Sequence, residues 1–428
     1  MLTELYMMVG LDTHMEIHFA DMGKEISPLL CVRCKGYRKL CGLPKCPLMI
    51  RFSSHFRSYV RIRGSSVSGA TPPSGLVGES GYPEVPVLVG IPPGVGADNA
   101  AIYDSPESWW GTKSLEEIIE LRSSMVSALL RVSARNYKDL YRVEIPFAMV
   151  SSRPVDAEAK IKSISSPTIP LDPRTPPQGL IAVAESVNIG SNPKVPGEIE
   201  KIYNDELKAS EAIWRLYKQG VSIYTIQRAL SFGLLGLPKN RRIVPTRWAI
   251  TAVDTTIAMK IHREIRSMDS IDSVELYRCE YLGNRFWVIL YPGPYSYEWI
   301  EIWHPNTIFT GIARKPIIIR NREGISGEAV YMDGGYQAAR LAVLENLYRR
   351  GRRASIIVIR EITPRYYASV GNWHIRETVR RSFMRSPDKP GSLLEAISLV
   401  KEELMAKDLI RVDRYSGTQT TLDRFFSE

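Results

Sequence analysis

The sequence has no stretch approaching the roughly 18 consecutive apolar residues that a membrane-spanning helix requires. Met1–Ala20 carries Glu4, Asp12 and Glu16, has no basic start and holds no continuous apolar run, so no secretory leader is expected and a cytoplasmic protein is. Histidine is scarce, with six in 428 residues. His-Glu-x-x-His, the Walker loop Gly-x4-Gly-Lys and a nucleophile elbow leading into a helix are all missing. These absences argue against the commonest zinc-protease, nucleotide-hydrolase and serine-hydrolase chemistries. No internal repeat at solenoid periods is visible, which excludes a stacked-repeat architecture.

What is present suits a protein of two or three packed units, since 44% hydrophobic content over this length buries a substantial core. Lysine and arginine outnumber aspartate and glutamate by 56 to 46, a balance of +10 that favours polyanionic partners. Proline and glycine concentrate between Gly64 and Gly96 and between Ser151 and Pro196, where apolar residues run through them and predict ordered connections.

Periodicity places the elements. Arg51–Arg63, with Phe52, Phe56, Tyr59 and Ile62 among basic residues, is expected as a strand, and Val85–Gly90 as a buried strand. Ser114–Arg135 is expected as one amphipathic helix, opened by a Ser114/Glu117 capping box. Tyr141–Val150 reads as a strand, and Glu198–Gln219, Ser222–Phe232 and Ala249–Ile265 as helices. A second lobe is expected to open with strands Ser273–Tyr281, Arg285–Tyr291 and Tyr297–Trp303, the first two joined by a hairpin across Gly283–Asn284. Helix Gly335–Arg350, strand Ser355–Ile362 and helices near Asn372–Met384 and Ser392–Lys407 complete it. The fold class is thus α/β or α+β, a two-lobed mixed core with a small N-terminal zinc module and a flexible C-terminal tail. The expected division is a leader and four-cysteine module over 1–50, a first α/β lobe over 51–195, a helical segment over 196–268, a second α/β lobe over 269–410 and a tail over 411–428.

Four of the five cysteines fall in Cys31-x2-Cys34-x6-Cys41-x4-Cys46. Clustered thiols in a reducing compartment point to metal, and four thiolates suit tetrahedral zinc, so a structural Zn2+ on Cys31, Cys34, Cys41 and Cys46 is expected. An iron–sulfur cluster and four free thiols are the alternatives.

Ala212–Ala229 has the outline of a helix-turn-helix, with Gly220 in the turn, Ser222 capping the second helix, and Leu216 and Ile226 packed across the corner. An ordinary helical hairpin makes the same demands. Three basic patches are candidates for DNA contact: Arg241 and Arg242 with Arg247 and Trp248; Arg349, Arg350, Arg352 and Arg353; and Arg380 with Arg381. Gly64–Gly69 is a candidate phosphate cradle, and Glu79, Glu84, Asp98 and Asp104 a candidate divalent-metal set for phosphodiester cleavage. Trp373–Glu377 is the densest polar and aromatic group of the second lobe, with core pairing as its default account. No catalytic residue is assigned.

Gln419, Leu422 and Phe425 lie three apart, so a 3₁₀ turn sets them on one side and presents Leu422, Phe425 and Phe426 as one apolar plug. This Gln-x-x-aliphatic-x-x-aromatic-aromatic pattern resembles the PIP box, the peptide by which replication and repair proteins bind the sliding clamp PCNA. A tail folded back on its own protein is the bland alternative.

The succession of Cys-x2-Cys with Cys-Gly-x3-Cys-Pro, Gly64–Pro73, Gly78–Pro83, Gly371-Asn372-Trp373 with Arg376-Glu377, and the PIP box resembles the archaeal Nre DNA-repair proteins over nearly the full length. The resemblance implies repair of DNA damage together with PCNA and implies no particular reaction. The expected function is a repair factor recruited by PCNA, with a DNA-facing core. A metal-dependent enzyme on nucleic acid or nucleotide, and a helix-turn-helix regulator, are the alternatives.

Overall fold

Val155, Ala157, Ala159 and Ile161 are buried while Asp156, Glu158, Lys160 and Lys162 between them are exposed, the period-two pattern of a strand with one covered face. In the computed structural model, which describes residues 33–40, 46–62, 64–136, 138–164, 176–305, 307, 310, 315–323 and 333–405, that strand belongs to a six-stranded sheet. Its members are β1 (Ser66–Thr71), β2 (Gly75–Val77), β3 (Glu84–Ile91), β4 (Val126–Ser133), β5 (Val155–Ile164) and β6 (Leu180–Ile189), in the order β1-β5-β6-β4-β3-β2. Among the described residues, β4 and β6 are the one parallel pair of this sheet.

Two helices flank this lobe. α1 (Pro47–Val60) stands where a strand is expected. Phe52, Phe56 and Tyr59 recur at helical and not alternating spacing, and Pro47 starts the helix at the position where its missing N–H costs nothing. α2 (Leu115–Ser123) has the expected capping box, with Glu117 N donating to Ser114 Oγ at 3.2 Å and Ser114 N to Glu117 Oε2 at 2.7 Å. It stops at Ser123, and Val126–Ser133, expected as its continuation, is a strand hydrogen-bonded on both sides. The strand expected over Tyr141–Val150 is instead two short helical turns, Lys138–Arg142 and Ile145–Met149; Pro146 cannot donate to a ladder and fits a first helical turn.

A helical group follows: α3 (Gly197–Asn204), α4 (Ala209–Lys218), α5 (Ile223–Ser231) and α6 (Thr246–Ile265). Ile199, Ile213, Leu216, Ile226 and Val253 share one core with the second sheet.

That sheet has five strands, β7 (Glu275–Tyr281), β8 (Asn284–Tyr291), β9 (Ser296–Trp303), β10 (Ile317–Glu323) and β11 (Ser355–Ile362), in the order β10-β9-β11-β8-β7. Here β9 and β11 are the parallel pair. The β7–β8 turn is Leu282–Gly283, both at positive φ (50° and 73°), one residue earlier than expected. A Cβ on Gly283 would lie 2.6 Å from Arg365 Cβ, so glycine is needed there for space as well as for φ. α7 (Gly334–Arg350) and α8 (Trp373–Ser382) cover one face, and α9 (Leu393–Glu403) covers the other through Ala396, Ile397 and Val400.

The lobes meet through aromatics. Trp109 packs edge-on against Trp373 at 5.6 Å, Trp110 Nε1 donates to Thr378 Oγ1 at 3.0 Å, and Arg122 Nη1 donates to Val370 O at 3.0 Å. Among the described residues no helix is long and apolar enough to cross a membrane.

Candidate functional site

Alternation along β9 sets Tyr297, Trp299, Glu301 and Trp303 on one face. Parallel pairing brings Arg360 of β11 opposite Glu301. Arg360 Nη1 donates to Glu301 Oε1 at 2.6 Å, and its Nε and Nη2 reach Asn284 Oδ1 at 3.0 and 2.7 Å. The rings of Trp303, Tyr366 and Phe286 surround the guanidinium at 5.3, 5.7 and 5.9 Å. α8 adds His374, whose Nε2 lies 3.2 Å from Arg360 Nη2 and whose Nδ1 lies 2.7 Å from Gly371 O. The tautomer that satisfies both contacts has Nδ1–H donating to the carbonyl and Nε2 accepting from the guanidinium. Burial, reinforced by the Arg360 charge, holds the His374 pKa down at about 3, so the ring is neutral. Burial pushes the Glu301 carboxyl up, and Arg360 opposes it.

Two residues further along α8, a second network begins. Arg376 forms an ion pair with Asp254 of α6, which also accepts from Gln227 Nε2 at 2.9 Å. Glu377 Oε1 accepts from Tyr224 OH at 2.7 Å and Arg380 Nη1 at 2.8 Å, while Arg380 Nε and Nη2 clamp Glu345 at 2.8 and 2.9 Å. The Trp373–Glu377 group is therefore a buried junction of α5, α6, α7 and α8, in keeping with core pairing. Neither network exposes a nucleophile or an open ligand position; their chemistry is to hold elements together. The sequence signal for them is a charge inside an apolar strand, Glu301 within Trp-Ile-Glu-Ile-Trp and Arg360 within Ile-Val-Ile-Arg, since a buried charge demands a partner.

The arginines singled out for DNA contact occupy three separate stretches. Before and within the start of α6, Arg241 is buried, donates to Gly236 O at 2.9 Å and Tyr203 O at 2.6 Å, and stacks on Tyr203. Arg242 folds back on the Arg241 carbonyl at 2.6 Å, Trp248 is half-buried, and Arg247 is exposed, 3.8 Å from Glu79. Around the turn after α7, Arg350 grips Glu275 with two 2.7 Å bonds, Arg353 Nη1 donates to Arg266 O at 3.2 Å, Arg352 lies 3.7 Å from an exposed Asp269, and Arg349 is exposed. On α8, Arg380 belongs to the buried junction and Arg381 stacks over Trp110 at 5.3 Å.

Four expectations are corrected. Zinc on Cys31, Cys34, Cys41 and Cys46 is overturned: among the described residues no group of three or more His, Cys, Asp or Glu side chains could hold a metal ion, and Cys34 and Cys46 are free thiols. Two thiols do not close a tetrahedral site; Cys31 and Cys41 lie outside the described residues. The divalent-metal set fails on the same finding, since Asp104 is taken by Arg122 at 2.9 Å and Glu79 faces Arg247. The phosphate cradle of Gly64–Gly69 is largely β1, an edge strand paired to β5. In the hairpin, Gly220 takes the turn at φ +82°, but Ser222 donates to Glu107 Oε1 at 3.0 Å instead of capping, and seven residues of the would-be recognition helix α5 are buried, which bars it from a groove. Gln419, Leu422, Phe425 and Phe426 lie outside the described residues.

Comparison with known proteins identifies the family. The family described as "Archaeal Nre, N-terminal" matches residues 40–310, and "Archaeal Nre, C-terminal" matches 322–425. The chain is 38% identical to the DNA repair protein NreA of Archaeoglobus fulgidus, over 92% of this chain and 98% of the relative. It is 38% identical to NreB of the same organism, over 82% and 88% of the two chains, and 35% identical to NreA of Haloferax volcanii, over 75% and 79%. No solved structure matches. The chain belongs to the archaeal Nre family.

Proposed function

We propose that this protein is a DNA-repair factor that the PCNA sliding clamp brings to DNA through Gln419, Leu422, Phe425 and Phe426, and whose core faces that DNA. The observation that carries this is the peptide itself: a glutamine, an aliphatic residue and two adjacent aromatics at the spacing of a PIP box. The names of its relatives, all DNA repair proteins, support the process. The net charge of +10 and the exposed Arg247 and Arg349 support a polyanion beside the core.

Burying Leu422, Phe425 and Phe426 stabilises the complex by roughly 1.5–3 kcal/mol per side chain before ordering costs. Those costs are modest for about eight residues, which places the affinity in the micromolar range. Calorimetry of the full chain against the clamp tests this. Phe425→Ala with Phe426→Ala should weaken binding at least about a hundredfold, as for paired aromatic anchors. Gln419→Ala should cost only about 1 kcal/mol, the worth of one hydrogen bond. Equal binding by the wild type and the double variant overturns the assignment.

A further inference from the structure

From Ile26 to Gly78 the chain carries nine Lys or Arg residues and not one Asp or Glu. Within that stretch α1 turns three rings outward: Phe52 is 51% exposed, Phe56 60% and Tyr59 55%. Their spacing of four and then three residues places them in one stripe, with steps of about 6 and 4.5 Å along the helix axis. Single exposed apolar residues need no account, whereas a row of large rings marks a binding face.

The stripe borders a cavity of ≈ 620 Å³ whose walls include Phe52, His55, Phe56, Tyr59, Ser65 and Lys162. His55 is buried, with Nε2 3.0 Å from Gln178 O. Burial and the neighbouring Arg51 lower its pKa, so the ring is neutral, Nε2–H donates to that carbonyl, and Nδ1 is left as an acceptor with no partner. Lys162 is exposed in the cavity wall. Arg57, on the same helix, is engaged with Glu120.

We propose that this face of α1 binds single-stranded nucleic acid, with bases stacked on Phe52, Phe56 and Tyr59 and the backbone phosphate held by Lys162. The inference rests on the reading of a DNA-facing core and names where and in what form the core takes its ligand. Stacking chooses a single strand over a duplex, because a duplex hides its base faces and offers only edges and phosphates. The excess of positive charge along this stretch of sequence favours a polyanion over an apolar peptide. Every base has a stackable face, so little sequence preference is expected.

Fluorescence anisotropy of the full chain with a labelled oligothymidylate of about 16 nucleotides, long enough to span a typical single-strand site, tests the proposal. The combined variant Phe52→Ala, Phe56→Ala, Tyr59→Ala should bind at least about tenfold more weakly. Its melting temperature should match the wild type because the rings are exposed. Lys162→Gln gives an independent measure: the slope of log affinity against log salt should shrink by about 0.7, the value for one lost single-strand phosphate contact. The wild type should prefer the oligothymidylate to a hairpin duplex of equal length. Unchanged binding by the aromatic variant, an unchanged salt slope, or equal affinity for the duplex each overturns this site. If the wild type still binds DNA in those cases, the DNA-facing core stands and its contacts lie elsewhere. If the wild type binds no oligonucleotide while binding the clamp, the DNA-facing core falls together with this site.

Discussion

His374 is held neutral by its surroundings, with a pKa near 3 against an ordinary value of 6.5. The unfolded chain takes up a proton on this ring below pH 6.5 and the folded protein does not until about pH 3, so acid favours unfolding. Its contribution is complete above pH 6.5 and is lost as pH falls through the window from about 6.5 to 3. By pH 5 the loss is about 2 kcal/mol. Urea unfolding at pH 7.5 and 5.0 should show the wild type losing that much relative to His374→Gln, which has no titrating ring; parallel pH profiles would rule the account out. At Asp254 the partner matters more than the proton. Arg376→Ala strands a buried carboxylate and should destabilise by about 3–5 kcal/mol in the same assay, and a loss under about 1 kcal/mol would mean that Asp254 is satisfied without it. These residues were hard to find in the sequence because their partners are far away along it: Arg360 and Glu301 are 59 residues apart, Arg376 and Asp254 122. A charge in an apolar strand announces that a partner exists without saying which. The cysteine cluster misleads in the opposite direction, since its spacing is local and suggestive while the described thiols assemble no metal site.

Among the elements, those whose local signals agree with their packing were legible. β11 spans the expected Ser355–Ile362, and the capping box of α2 forms as its Ser and Glu require. Ser114→Ala should remove about 1 kcal/mol, read as a lower melting temperature; no change would show that the box is idle in the folded protein. The far end of that helix could not be read in this way. Met125, Val126, Leu129 and Leu130 fit a helical stripe, yet the sheet takes Val126–Ser133 as β4 because both of its neighbours, β3 and β6, offer ladders there. Periodicity cannot distinguish a short apolar run in a helix from a buried strand. α1 shows the converse: beta-forming Phe, Tyr and Val suggest a strand, while the spacing of the rings dictates a helix. β5 alternates cleanly but sits in a stretch whose prolines suggest a connection, so its neighbours obscure it.

For the molecule as a whole, the two proposed contacts differ in physics, and that difference allows a joint test. The clamp contact is an apolar plug, nearly indifferent to salt, whereas contact between a basic core and phosphates releases counterions and weakens steeply as salt rises. A core tethered to a clamp that encircles DNA sees that DNA at an effective concentration on the order of a millimolar. Weak binding by the core then suffices, in keeping with a surface whose designated arginines are largely engaged with partners inside the protein. The full chain should therefore bind DNA carrying a loaded clamp at least about a hundredfold more tightly than the same DNA alone. Phe425→Ala with Phe426→Ala should abolish that enhancement and leave binding to bare DNA untouched. Raising salt should reduce binding to bare DNA while the chain continues to bind the clamp in the absence of DNA. Biolayer interferometry on immobilised, end-blocked DNA with and without clamp separates these terms. Additive rather than multiplied affinities would mean that the two sites cannot be engaged together, and the tethered arrangement would fall even if each contact were real.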